Sequence, residues 1–217
     1  MPFSIEKLHS AISTSIGKSH VAILMTVVTL LMAYYLFSAQ AGRDEPRLII
    51  MGDSLSTTHE GWPNFLREIA PRWDVHVMAQ NGRSIRDFSI PRDLWTNGEN
   101  NETVVYFLGA NDILQCNCVD HARYRLNTHI NFLLERNFKV LLIVPPTLNL
   151  NEERFVKPMA EHRAMIEKFR GYHPDLTVYD IDEVWDNTHT MDGIHPDEEL
   201  SMEIAMAINM VLAMNIY

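Results

Sequence analysis

From residue 47 onward the apolar positions fall into short runs separated by stretches with helical spacing. Residues 47–51 (Arg-Leu-Ile-Ile-Met) form a nearly unbroken apolar run that stops at Gly52-Asp53-Ser54. Such a run suits a strand buried on both faces, entering a turn. Trp62, Phe65, Leu66 and Ile69 then recur at i, i+3, i+4 and i+7, the spacing of a helix with one buried face. Residues 75–79 and 103–108 read as a second and third strand. Residues 124–135 read as a helix. Residues 139–144 (Lys-Val-Leu-Leu-Ile-Val) read as a fourth strand, stopped by Pro145-Pro146 because proline cannot donate to a ladder. A helix is predicted over 152–171 with Gly171 as its C-cap, a short fifth strand over 177–180, and a last helix over 196–215 with proline near its first turn. Strands alternating with helices predict an α/β fold, a parallel sheet covered on both faces.

Composition narrows this picture. Hydrophobic residues make up 47% of the 217, enough for one ordinary core without metals or a disulfide framework. The net charge of −10 argues against nucleic acid as a partner, since phosphate binding needs a Lys/Arg surface. The two cysteines, Cys116 and Cys118, stand two apart, a spacing at which a bridge is geometrically difficult. They are read as small loop residues, with a redox-labile disulfide as the alternative and a two-cysteine metal site with a neighbour such as His121 as a third reading that lacks a second ligand pair.

The N-terminal part has its own pattern. Residues 21–37 are uncharged and apolar, preceded by Lys7 and Lys18 and followed by Arg43, Asp44 and Glu45. A helix of that length spans roughly 26 Å, at the short end for a membrane crossing. The basic side is expected to stay cytoplasmic, which exports the rest of the chain to the periplasm or the exterior. Two fates are open: cleavage as a signal peptide after Ala39-Gln40-Ala41, or retention as a membrane anchor. The expected organisation is a cytoplasmic leader (1–20), a signal peptide or anchor (21–41) and a catalytic domain (45–217).

Four polar clusters occur where a parallel sheet carries function, beyond the carboxyl ends of its strands. They are Gly52-Asp53-Ser54, Asn81-Gly82-Arg83-Ser84, Gly109-Ala110-Asn111-Asp112 and Asp192-Gly193-Ile194-His195. Acyl transfer needs a nucleophile, a base, a group that orients the base, and donors for the oxyanion. Ser54 at a strand-to-loop turn can be the nucleophile, and His195 the base. Asp192 can hold the other imidazole nitrogen if its loop curls as one turn. Gly82 can offer a backbone N–H and Asn111 a side-chain amide. Each piece alone is ordinary loop chemistry; their joint order along the chain is the stronger signal.

Taken together these segments resemble four sequence blocks of the SGNH, or GDSL, serine hydrolases: Gly52-Asp53-Ser54-Leu55, Gly82, Gly109-x-Asn111-Asp112 and Asp192-x-x-His195. The resemblance spans about residues 47–215. It implies a flavodoxin-like three-layer α/β/α sandwich around a parallel five-stranded sheet, here preceded by an N-terminal hydrophobic helix. It further implies a Ser54-His195-Asp192 triad and an oxyanion hole built from the Ser54 and Gly82 N–H groups and the Asn111 side chain. No metal or organic cofactor is implied. The expected activity is hydrolysis of a small lipid, aryl or acetyl ester, or a thioester. An acyltransferase or deacetylase acting on envelope polysaccharide with the same triad is the alternative, and a non-catalytic binding domain a third reading.

Block II, Ala79-x-x-Gly82-Arg83-Ser84-x-Arg86, resembles that of carbohydrate acetylesterases and some arylesterases, whereas Asp53-Ser54-Leu55-Ser56, Trp62 and Asp192-Gly193-Ile194-His195-Pro196 are similar to the periplasmic thioesterase/lysophospholipase group. The segment Gln115-Cys116-Asn117-Cys118 fits neither pattern. Arg83 and Arg86 are expected in surface ion pairs, with substrate carboxylate or phosphate binding as the alternative. His189 is expected in a solvated loop, and Trp62 to staple the first helix to the sheet. The Gly-x-Ser-x-Gly motif of standard α/β-hydrolases is absent.

Overall fold

The computed structural model of the chain describes residues 46–57, 61–91, 94, 102–116, 118–150 and 153–215. The leader and apolar segment expected over 1–41 lie outside the described residues. Among the described residues, no helix is long and apolar enough to cross a membrane.

Five strands form one sheet: β1 (Arg47–Gly52), β2 (Asp74–Ala79), β3 (Thr103–Phe107), β4 (Lys139–Val144) and β5 (Leu176–Asp180). Their order is β2-β1-β3-β4-β5, and every neighbouring pair is parallel. Five helices are described: α1 (Trp62–Ile69), α2 (Ala110–Leu114), α3 (Val119–Leu134), α4 (Glu153–Glu167) and α5 (Glu198–Asn215).

The period-2 alternation of the strands sorts their side chains onto two faces. Leu48, Ile50, Val105, Phe107, Leu141 and Ile143 meet Trp62 and Leu66 of α1 and Leu200, Ile204 and Ile208 of α5. Ile49, Met51, Val104, Tyr106 and Leu142 meet Ala122, Leu126, Ile130 and Leu133 of α3 and Met165 and Ile166 of α4. Each fully buried aliphatic side chain contributes about 1.5–3 kcal/mol, so two apolar faces account for both helical layers. Trp62 is fully buried, with its ring centroid 6.4 Å from that of Phe107 on β3, and thus staples α1 to the sheet.

The helix ends differ from the sequence expectation for local reasons. Helix α3 begins at Val119, upstream of the expected start at 124, because the turn before it is anchored by Cys118 N–H on the Asp112 carbonyl (2.8 Å). Helix α4 stops at Glu167. The next turns are held by i+3 bonds from Phe169 N–H to Ile166 and from Arg170 N–H to Glu167, and end at Gly171, whose φ of +72° reverses the chain. Pro196 stands before α5 rather than in its first turn. It pairs with Thr190 in an antiparallel bridge, while the Asp197 carboxylate caps the helix by accepting the Leu200 N–H (2.9 Å).

In the order β2-β1-β3-β4, the connection from β1 runs to one side and that from β3 to the other, which opens a crevice at the carboxyl ends of β1 and β3. The turns after β1, β2 and β3 all border it.

Candidate active site

The turn after β1 is fixed by Asp53. Its Oδ1 accepts the Leu55 N–H (3.0 Å) and its carbonyl accepts the Ser56 N–H (3.1 Å), so Ser54 opens a single 3-10 turn, Ser54–Ser56. Asp53 itself is buried, and its Oδ2 has no partner. Burial pushes this carboxyl up to about 7, against the Leu55 N–H that favours the charged form. Ser54 remains partly exposed at the crevice.

Gly82 lies in the turn after β2 with φ +71°. A Cβ there would meet nothing closer than Gln115 Nε2, at 3.5 Å. The requirement for glycine is therefore left-handed backbone, not lack of room; the left-handed form costs other residues about 1–2 kcal/mol.

Asn111 and Asp112 lie in the first turn of α2, and both are buried. Asn111 Nδ2 donates to the Arg83 carbonyl (3.0 Å). Asp112 accepts the Ile85 N–H at Oδ2 (2.7 Å) and the Arg86 N–H at Oδ1 (3.1 Å). The Asn-Asp pair thus clamps the loop that carries Gly82 against the end of β3.

The loop before α5 curls as one turn. Asp192 Oδ1 accepts the N–H groups of Ile194 (3.1 Å) and His195 (2.8 Å), while Oδ2 meets His195 Nδ1 at 2.7 Å. These bonds hold the Asp192 carboxyl below its ordinary range, the His195 N–H foremost. With Asp192 ionised, Nδ1 carries the imidazole proton and Nε2 is left as the acceptor. Met191 N–H donates to the His195 carbonyl (2.8 Å), which closes the loop on itself.

Ser54, Gly82, Asn111 and His195 line one cleft of about 550 Å³, and Asp192 stands behind the imidazole. All five residues expected from the sequence are therefore brought together. Ser54 and His195 face the same space without a hydrogen bond between them; such bonds often form only once substrate is seated. The cleft also takes Leu55, Thr57, Gly61, Asn81, Met191, Pro196, Asp197 and Glu198.

Other sequence-derived candidates fall elsewhere. Neither Arg83 nor Arg86 lines the cleft. Arg83 is held by the Met78 carbonyl and Gln80 Oε1, and Arg86 pairs with Asp87 at 2.6 Å. His189 meets Asp197 (3.3 Å) and Glu199 (3.5 Å). Cys116 and Cys118 are joined in a disulfide, contrary to their reading as plain loop residues. The turn after α2 brings their Cα atoms to 5.2 Å, within the span a bridge needs.

Two residues with evident roles were not given one by the sequence. Asp112 carries the clamp, and its signal was its place in the Asn-Asp motif. Gln115 donates to both Gly82 and Asn111, and nothing in its local sequence marks it.

No family model matches the chain, and no curated protein matches it. Solved structures do. A lipolytic protein of the G-D-S-L family from Veillonella parvula aligns with TM-score 0.64 at 15% identity, over 77% of this chain and 98% of that one. An acetyl xylan esterase aligns with TM-score 0.64 at 17% identity, over 76% and 99%. A lipase/acylhydrolase from Enterococcus faecalis aligns with TM-score 0.59 at 19% identity, over 77% and 95%. At such low identity it is the architecture that is shared, and the chain has the fold on which GDSL-type lipolytic proteins and esterases are built.

Proposed function

We propose that this protein is a serine ester hydrolase. The observation that carries the reading is that Ser54 and His195, from opposite ends of the domain, border one cleft with Gly82 and Asn111, and that Asp192 holds the far nitrogen of the His195 ring. In this reading His195 Nε2 takes the Ser54 hydroxyl proton as Oγ attacks the ester carbonyl carbon. The N–H groups of Ser54 and Gly82 and the Asn111 amide receive the oxyanion. Collapse of the tetrahedral intermediate breaks the bond to the alcohol, which leaves with the proton from Nε2. Water, deprotonated by His195, then releases the acid and restores Ser54.

The lining supports one substrate class over another. Asp197 and Glu198 are among the residues that line the cleft, and its described residues include no lysine or arginine. A neutral acyl ester suits that rim better than an anionic one. The fold shared with an acetyl xylan esterase supports a short acyl group on a carbohydrate alcohol. The pattern of residues 1–41 supports export of this domain, with residues 21–37 as signal peptide or anchor.

The test is turnover of p-nitrophenyl acetate, butyrate and octanoate, and of an anionic p-nitrophenyl succinate, by the protein and by Ser54→Ala. Expected is Ser54-dependent hydrolysis, fastest with acetate and weakest with succinate. Equal rates in the wild type and a folded Ser54→Ala would exclude the mechanism. A preference for octanoate would replace the short-acyl reading with a lipid-like one.

A further inference from the structure

The oxyanion donors assigned above do not stand alone, and the residue that joins them lies in the segment that fits no family pattern. Gln115 is the C-cap of α2, its N–H on the Asn111 carbonyl at 3.0 Å. Its side-chain amide reaches back toward the cleft. Nε2 lies 2.9 Å from the Gly82 carbonyl and 3.1 Å from Asn111 Oδ1. A primary amide nitrogen has two hydrogens, so each acceptor takes one.

We infer that Gln115 is a positioning residue that sets both oxyanion donors at once. This rests on the hydrolase reading. The Gly82 carbonyl fixes the peptide on one side of the left-handed Gly82, and with it the direction of the neighbouring Gly82 N–H. Asn111 Oδ1, engaged by Gln115, faces away from a developing negative charge. Nδ2 spends one hydrogen on the Arg83 carbonyl, and Asn111 lines the cleft beside the buried Asp53 carboxyl, which its side chain also contacts. Rotating the Asn111 amide by half a turn would set its oxygen against the Arg83 carbonyl and its nitrogen against Gln115 Nε2. Two bonds therefore oppose the wrong orientation, and Gln115 makes one of them.

An exposed glutamine holds such a pose only if its backbone is fixed, and here it is. Immediately after Gln115 the chain turns through the Cys116–Cys118 disulfide. That turn is tied to α2 by Cys118 N–H on the Asp112 carbonyl (2.8 Å) and to the Gly82 loop by Arg86 Nη1 on Cys118 Sγ (3.3 Å). The bridge thus keeps Gln115 over the two groups it orients. The arrangement costs no dedicated core residue, because Gln115 is itself at the surface. Its loss should therefore register in the chemistry and hardly in stability.

The experiment uses the full chain and Gln115→Met, which keeps the length of the side chain and removes both donors. With Ser54-dependent turnover in the wild type, kcat should fall about tenfold, less than the 10²–10³ typical of losing a donor outright. KM should stay within about twofold, since no contact with the bound substrate is lost, and Tm should fall only slightly, as two hydrogen bonds at the surface go but no core packing does. In an Asn111→Ala background the same substitution should cost clearly less, because half of its target is gone. Unchanged kcat in Gln115→Met, a loss seen only in KM, or the full tenfold loss in the Asn111→Ala background would each overturn the inference. A measurement independent of turnover is the ¹H–¹⁵N signal of the Gly82 amide and of the Asn111 side-chain amide. Both should shift in Gln115→Met. If both stay in place the inference fails, whether or not the protein hydrolyses esters. If the wild type shows no Ser54-dependent turnover, the hydrolase reading fails instead, and the positioning of oxyanion donors fails with it.

Discussion

At the scale of single residues, the site is built from groups whose surroundings decide what they can do. His162 on α4 is an instructive case outside the cleft. It is buried, neither ring nitrogen has a hydrogen-bond partner, and its ring lies where a side chain on Gly109 would be: a Cβ there would come within 2.1 Å of Nε2. Gly109, at φ +133°, therefore yields its space to the imidazole just before Asn111. Burial pushes His162 down to about 4, so the folded protein keeps it neutral where an unfolded chain would protonate it near 6.5. The unfolded state binds the extra proton, and this stability contribution is complete above pH 6.5 and lost as the pH falls toward 4. The shift corresponds to up to about 3 kcal/mol. His129, lowered to about 4 in the same way, adds to the loss. Asp53 opposes it, because a carboxyl raised to about 7 favours the folded state at low pH and loses that contribution as the pH rises from 3.8 through 7. The prediction is thus a difference: urea unfolding at pH 7.5 and pH 4.5 should show a smaller acid loss for His162→Leu than for the wild type. Equal losses would mean that His162 is protonated in the folded state.

At the scale of elements, the loops at the carboxyl ends of β4 and β5 are latched to each other. Asp182 accepts the Thr147 N–H (2.7 Å) and hydroxyl (2.6 Å). Arg163 of α4 meets Asp180 (2.6 Å), Asp182 (2.9 Å) and the Pro145 carbonyl. Asn187 accepts the Asn149 N–H (3.1 Å) and donates to the Thr147 carbonyl (3.1 Å). This network carries the chain from β5 toward the Asp192–His195 turn. Asp182→Ala should lower stability by about 1–3 kcal/mol, read as a fall in Tm, because Thr147 and Arg163 lose a shared acceptor. An unchanged Tm would mean that solvent replaces those bonds without cost. Helices and strands were legible in the sequence as elements, since apolar period and proline or glycine stops are local. This latch was not, since Thr147, Arg163 and Asp182 become neighbours only when β4 and β5 pair. The same holds for the disulfide: two cysteines at spacing two read as unbridged until the turn after α2 brings them together.

At the scale of the whole molecule, a parallel sheet in the order β2-β1-β3-β4-β5 gathers the loops after β1, β2 and β3 and the loop before α5 around one crevice. The proposed export of this domain is a whole-molecule property as well. Fractionation of cells that express the full chain should find the domain outside the cytoplasm and open to added protease, with its mass telling a cleaved signal from an anchor. Recovery in the cytosol would refute export. The sequence by itself determined which residues could do chemistry and which segments would be strands, because the apolar runs and the Gly-Asp-Ser, Gly-x-Asn-Asp and Asp-x-x-His patterns are short-range properties of the chain. It also determined that Asp192 could reach His195, since one turn spans three residues. Tertiary structure alone decided that Gln115 would grip Gly82 and Asn111, that Asp112 would clamp the block II loop, that Asp53 would be driven toward neutrality and that Glu198 would face the cleft. Each of these depends on distance or burial between segments far apart in sequence, and such pairings do not exist until the sheet has formed.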